Sequence, residues 1–252
     1  MTRLFAWYHL RTHIPVEWEM VVYSLDRIFG SVEFATRGGI QATLQWKRAK
    51  VPGSAAPWEW HWDSTKGNLR AQCVIPEEKV RLLWSFPGAS EPVARRVVEE
   101  SGPHPGEQQA LTLQGIEALI PDRYRPVEVQ LHPANVMLAL EGPRQSRIVH
   151  RAWGLPEIVL QGQSPQAFFQ RLLAAMQFRV QEVEAARVMQ LDARKATFTS
   201  RGLSPLTRLL FQRAQGVGWI WHDSVSRRLR TLEMLGPKPG PTLTMEECLV
   251  LG

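Results

Sequence analysis

The sequence predicts an α+β protein, built of antiparallel β-sheets with flanking helices and divided into two related halves. Three observations point there. Short apolar runs alternate with polar residues and are separated by turn formers, the pattern of antiparallel hairpins. Two Ser-Pro pairs, Ser164-Pro165 and Ser204-Pro205, each precede apolar residues at helical spacing, as an N-cap serine followed by a first-turn proline would. An Ile-Pro-x-x-aromatic pattern occurs at Ile14 to Trp18 and again at Ile120 to Tyr124. Strands and helices do not alternate as βαβ units, which argues against a parallel sheet.

The repeat sets the expected division. Continuing from the two Ile-Pro pairs, Leu25 falls on Leu131, Val32 on Leu138 and Phe34 on Leu140. One extra residue then brings Trp46 onto Trp153. Each copy has an alternating apolar run, a turn at Arg37-Gly38-Gly39 or Gly142-Pro143-Arg144, and a second strand ending near the tryptophan. Residues 1–106 are expected to form a first α+β half and 107–236 a second. Residues 237–252 are expected to form a Pro/Gly linker and a C-terminal tail.

Beyond the shared hairpin the halves differ. Trp58 to Asp63 alternates strictly and reads as a strand with one aromatic face. Leu69 to Ile75 and Lys79 to Phe86 read as a hairpin, and Ala89 to Ser101 as a short helix ahead of Gly102-Pro103-His104-Pro105-Gly106. In the second half Phe168, Phe169, Leu172, Leu173 and Met176 make one helical stripe. Leu206, Leu209, Leu210 and Phe211 follow the second Ser-Pro pair, with Gly216 as a helix stop. Gly218 to Trp221 and Arg228 to Leu235 read as a final hairpin, and residues 178–199 alternate too weakly to assign.

The segments Gly115-Ile116-Glu117-Ala118-Leu119-Ile120-Pro121 and Ile14-Pro15-Val16-Glu17-Trp18-Glu19, each followed by strands, resemble the opening of PsbP-like domains. The resemblance covers about the first third of each half, through a short motif. It implies antiparallel sheets with flanking helices and a non-catalytic role in binding and assembly. It carries over no functional residue.

Composition narrows the function classes. Of 252 residues 44% are hydrophobic and 21% charged, as in an ordinary globular protein. No run approaches the roughly 18 apolar residues of a membrane helix, so no membrane partner is expected. The stretch Met1 to His9 lacks a signal-peptide apolar core. Cys73 and Cys248 stand alone and far apart, which fits a reducing compartment, so a cytoplasmic location is expected. Phosphate-loop, dinucleotide-fold, zinc-protease and serine-hydrolase motifs are absent. No enzyme and no cofactor are expected.

Three groups of residues remain as candidates. Trp58, Trp60 and Trp62 share one face of their strand, and tryptophan is enriched among interface anchors; the alternative is a core face. Glu59, His61 and Asp63 share the other face and include metal-ligand and acid–base types. That would suit a metal-assisted hydrolase as a distant reading, against a plain solvated face. Between Arg194 and Arg230 stand eight cations and one acid, Asp223, which outweighs the net +6 of the whole chain. Arg208, Arg213, Arg227 and Arg228 would carry nucleic-acid binding if they share a face; the alternative is an ordinary solvated surface.

The tail offers a fourth. Gly236-Pro237-Lys238-Pro239-Gly240-Pro241 cannot form helix or ladder strand. Leu249, Val250 and Leu251 beyond it should fold back onto the body or dock on a partner. The leading expectation is a non-enzymatic binding or assembly protein whose partner is another protein or subunit, with a nucleic-acid-associated protein as the alternative.

Overall fold

The computed structural model describes residues 1–7, 10–24, 29–50, 58–65, 68–103, 109–113, 116–121, 123–132, 134–200, 215–224, 226–237, 243–245 and 247–249. The chain forms two compact units, Met1–Gln114 and Gly115–Gly252. Strand accounts for 62% of the described residues and helix for 14%, in three α-helices and one 3-10 turn at Pro143–Gln145. The fold is therefore β-rich and antiparallel, not α+β. Much of the difference lies in residues 178–199, which form a long hairpin, and in Thr2–Pro15, which forms another. The helix expected after Ser204-Pro205 lies outside the described residues, and Gly216 sits inside a strand instead of closing a helix.

In the first unit β1 (Thr2–Trp7) and β2 (Leu10–Pro15) pair as a hairpin. Then come β3 (Glu19–Tyr23), β4 (Gly30–Thr36), β5 (Gly39–Arg48), β6 (His61–Thr65), β7 (Asn68–Ile75), β8 (Val80–Phe86), α1 (Glu91–Glu99) and β9 (Gln109–Leu113). Six strands make an antiparallel sheet in the order β3-β4-β5-β8-β7-β6. Alternation decides its two faces: on β8 Val80, Leu82, Trp84 and Phe86 are buried and the residues between them are not. The inner face adds Val32, Phe34, Leu44, Trp46 and Cys73. Phe34 packs edge-on to Phe5 of β1 at 4.9 Å and lies 5.9 Å from Trp84, centroid to centroid. Val97 and Val98 of α1 are buried too, and Thr12 Oγ1 donates to the Val97 carbonyl at 2.7 Å, which ties α1 to β2.

The second unit contains β10 (Ile116–Ile120), β11 (Arg125–His132), β12 (Asn135–Glu141), β13 (Arg147–Gly154), α2 (Pro156–Leu160) and α3 (Pro165–Ala175). It ends with β14 (Phe178–Val188), β15 (Leu191–Ser200), β16 (Gln215–Asp223) and β17 (Arg228–Gly236). Its antiparallel sheet has the order β11-β12-β13-β17-β16-β15-β14. Helix α3 starts as its sequence predicts: Ser164 Oγ accepts the Ala167 N–H at 3.2 Å. Its Phe168, Phe169 and Leu173 pack with Phe198, Ile220 and Leu229 of the sheet. Gly216 permits this packing, because a Cβ there would lie 2.2 Å from the Phe198 ring.

The two sheets share a strand order. A three-strand meander leads into the last strand of the sheet, and the order then runs back through the chain to the far edge. Trp46 pairs with Gly30 and Leu82, and Trp153 pairs with Asn135 and Leu229, at like positions of the two meanders. Before each meander a hydrogen bond closes a turn over the same span: Trp18 N–H donates to the Pro15 carbonyl at 3.1 Å, and Tyr124 N–H to the Pro121 carbonyl at 3.0 Å, although Arg123 has φ 71° and its counterpart Glu17 is not left-handed. The helices differ, since α1 follows the last strand of its sheet whereas α2 and α3 follow the third of theirs. Descent of both sheets from one duplicated unit is a proposal that these shared features support.

Candidate partner-binding site

Seven of the ten tryptophans are buried: Trp7, Trp18, Trp46, Trp84, Trp153, Trp219 and Trp221. The other three, Trp58, Trp60 and Trp62, are half-buried and alternate along one short segment. Only the last lies in β6, which begins at His61. Trp58 sits in a turn with φ 61°, and its N–H reaches the Val74 carbonyl at 3.5 Å. Trp60 Nε1 donates to the Ser101 carbonyl at 3.3 Å. Trp62 pairs in register with buried Ala71, so it belongs to the inner face at its margin. There the Arg95 guanidinium of α1 lies 5.0 Å from the centre of the indole, a cation–π contact. Glu91 fixes that guanidinium through an ion pair at 2.8 Å.

These tryptophans lie at a sheet edge. Unpaired edge backbone is a template for another strand, and proteins blunt it with bulges and charges. Edge strand β3 carries a register shift at Met20/Val22, β11 at Pro126/Glu128 and β14 at Val180/Glu182. The β6–β7 ladder carries none. Of the four edges of the two large sheets, β6 is therefore the regular one among the described ladders, and its aromatic side chains are only partly covered.

Glu59, His61 and Asp63 are exposed, and within β6 His61 and Asp63 face away from Trp62. His61 stands opposite Gln72 and Asp63 opposite Arg70. Among the described residues no three His, Cys, Asp or Glu groups are gathered to hold a metal ion, so the second element that such a site needs is missing there.

Of the basic candidates, Arg208 and Arg213 lie outside the described residues. Arg227 is exposed in the β16–β17 turn with φ 51°, and Arg228 is half-buried. Other cations of this segment are engaged: Arg230 with Asp223 at 2.6 Å and Lys195 with Glu184 at 2.7 Å. In the tail Leu249 is buried and bridges to Ala118, while Leu119 N–H donates to the Cys248 carbonyl at 3.2 Å. Leu249 thus folds back onto β10, and Val250 and Leu251 lie outside the described residues. Cys73 and Cys248 are both buried and outside any disulfide, and burial pushes the Cys73 thiol up to about 12, which makes it inert.

Sequence reading missed the role of Arg95. Its spacing from Glu91 signals a helix pair, but nothing in the chain places it over Trp62, which comes from a strand 33 positions earlier.

No helix among the described residues is long and apolar enough to cross a membrane. No family model matches the chain, and no curated protein matches it. Among solved structures it is similar to the immunity protein TplEi of T6SS from Pseudomonas aeruginosa. For the complex with "L" peptide the identity is 9% over 98% of this chain and 92% of that chain, with a TM-score of 0.31. For the apo structure the identity is 10% over 98% of this chain and 91% of that one, also at 0.31. A likeness of that size is too slight to carry fold or function from those proteins to this chain.

Proposed function

We propose that this protein works by binding another protein, without catalysis, through the β6 edge and the tryptophans beside it. The observation that carries the reading is the contrast among the tryptophans: seven are buried and the three half-buried ones fall at alternate positions of one short segment that leads into β6. Partly exposed indoles are the composition of a binding hot spot. A partner strand pairing with β6 would take its affinity from main-chain hydrogen bonds and its specificity from side chains packed beside Trp60 and Trp62. The resemblance to PsbP-like domains is consistent with this reading, because it implies binding instead of chemistry. Two buried cysteines outside any disulfide suit the expected cytoplasmic location.

The test is affinity capture from the native host with wild-type protein and with a Trp60→Ala/Trp62→Ala double variant. A specific protein held by the wild type and released by the variant is expected, with the variant still folded by circular dichroism. A Ser64→Pro variant, which blocks a new strand on β6 without touching the indoles, should release it too. Retention of the same partner by both variants would remove the site.

A further inference from the structure

The outer face of the first sheet carries a concave site of about 450 Å³, a volume within the range of small-molecule pockets. Register defines its floor, because residues directly opposite each other in an antiparallel pair share a face. Ser31 stands opposite Gln45, Gln45 opposite Leu83, and Leu83 opposite Gln72. One row therefore crosses β4, β5, β8 and β7. In the next row Lys47 of β5 stands directly opposite Arg81 of β8. These residues line the site, together with Phe29, which is 61% exposed.

The Lys47–Arg81 pair is the anomaly. Like charges directly opposed across a ladder destabilise it. Among the described residues neither cation has an acidic partner, whereas Arg95, Arg147, Arg151, Lys195 and Arg230 all do. The nearest rows supply side-chain amides and a hydroxyl but no carboxylate; Glu33 stands away from it, opposite Thr43. An ammonium beside a guanidinium fork, with no acid between them among the described residues, is the composition of a phosphate or carboxylate site. Leu83 and Phe29 add apolar surface that an inorganic ion would not need.

We infer that this face binds a small organic anion with an apolar body. Its phosphate or carboxylate is held between Lys47 and Arg81, its body lies against Leu83 and Phe29, and Gln45 and Gln72 serve its polar edge. The site is independent of the β6 reading, since Trp62 belongs to the opposite face of the sheet. It also differs from the basic segment 194–230, which belongs to the second unit.

The experiment titrates the full chain with phenyl phosphate at low salt, followed by calorimetry, with benzoate and phenol in parallel. Phenyl phosphate is expected to bind, phenol not to, and binding to weaken as salt rises. Tighter binding of phenyl phosphate than of benzoate identifies phosphate as the head group, and the reverse order identifies carboxylate. Lys47→Gln and Arg81→Gln, both exposed and thus tolerated by the fold, should each weaken binding about ten-fold. Lys47→Glu should abolish it and raise the thermal midpoint by pairing with Arg81. Equal binding of phenol and phenyl phosphate, or unchanged affinity in both glutamine variants, would overturn the inference. So would binding of a polynucleotide without binding of the monoester.

Discussion

Burial alternates along the strands of the first sheet, as on β8, while the central strands of the second sheet are buried almost continuously. On β12 the run Val136, Met137, Leu138, Ala139 and Leu140 is buried, and on β17 the run from Thr231 to Met234. The first sheet thus keeps one polar face, where the Lys47–Arg81 pair sits. In the second, α3 lies on one face through Phe169 and Leu173, and on the other Cys248 meets Met234 at 3.6 Å between sulfurs. A sheet with a polar face can present groups to ligands. A sheet buried on both faces must satisfy its polar groups internally, and a missing partner there is costly.

The largest test of that contrast is the buried ion pair of the second sheet. Arg151 of β13 donates to Glu233 of β17, and Thr231 Oγ1 donates to the same carboxylate. Glu233 is 1% exposed. Burial, with Arg147 nearby, pulls the Arg151 guanidinium down to about 10, which leaves it charged at neutral pH. Glu233→Ala strands that charge and should cost about 3–5 kcal/mol in urea unfolding. Arg151→Met with Glu233→Met, which removes both charges, should recover most of the loss. A Glu233→Ala variant within about 1 kcal/mol of wild type would mean that water reaches the pair and that the sheet is not sealed on that face.

The same contrast explains what the sequence could reveal. Leu69–Ile75 and Lys79–Phe86 are legible as a hairpin because one-sided burial writes period two directly into the residue order. Val136, Leu138 and Leu140 are legible as one face of a strand. The burial of Met137 and Ala139 on the other face is not, since it depends on what covers the sheet. Strand β14 hides for another reason. Its Phe178, Val180 and Val183 are only half-buried against the α3 cluster, charges stand at Arg179, Glu182, Glu184 and Arg187, and the register shift at Val180/Glu182 breaks period two, so no apolar period shows. The tryptophans at 58, 60 and 62 stand out in the chain, but their position at a regular edge depends on sheet order. The pairing of Lys47 with Arg81 depends on register between strands whose residues stand 34 positions apart, and no local pattern encodes that.

A second test uses pH. His150 of β13 is 3% exposed, and its Nε2 has no hydrogen-bond partner among the described residues. Burial, with Arg230 nearby, lowers its pKa from 6.5 to about 3. The folded protein therefore holds the imidazole neutral, while the unfolded chain takes up a proton below about pH 6.5. The stabilisation from neutral His150 is full above that value and falls away as pH drops toward 3, by about 1.4 kcal/mol per pH unit. Urea midpoints at pH 7, 5.5 and 4.5 should decline accordingly, and His150→Leu should flatten the decline. An equal decline in the variant would assign the acid sensitivity to other groups.

The smallest expected effect belongs to the first unit. Arg95 is exposed, and it touches Trp62 through its guanidinium and Glu91 through an i,i+4 ion pair with both side chains in solvent. An exposed cation–π contact contributes about 0.5–1 kcal/mol, and an exposed helix pair about 0.3–0.5 kcal/mol. Arg95→Ala should therefore cost only about 1 kcal/mol, a small fraction of the Glu233→Ala loss. It should also uncover Trp62, and emission from that indole should shift to longer wavelength as water replaces the guanidinium. Comparing Arg95→Ala in the wild-type and Trp62→Phe backgrounds isolates this one tryptophan from the nine others. If Arg95→Ala destabilised as strongly as Glu233→Ala, the margin beside β6 would be a sealed interior like that of the second sheet. Trp62 would then be unavailable to a partner. A small cost together with a red shift keeps it at the surface, where a binding partner can reach it.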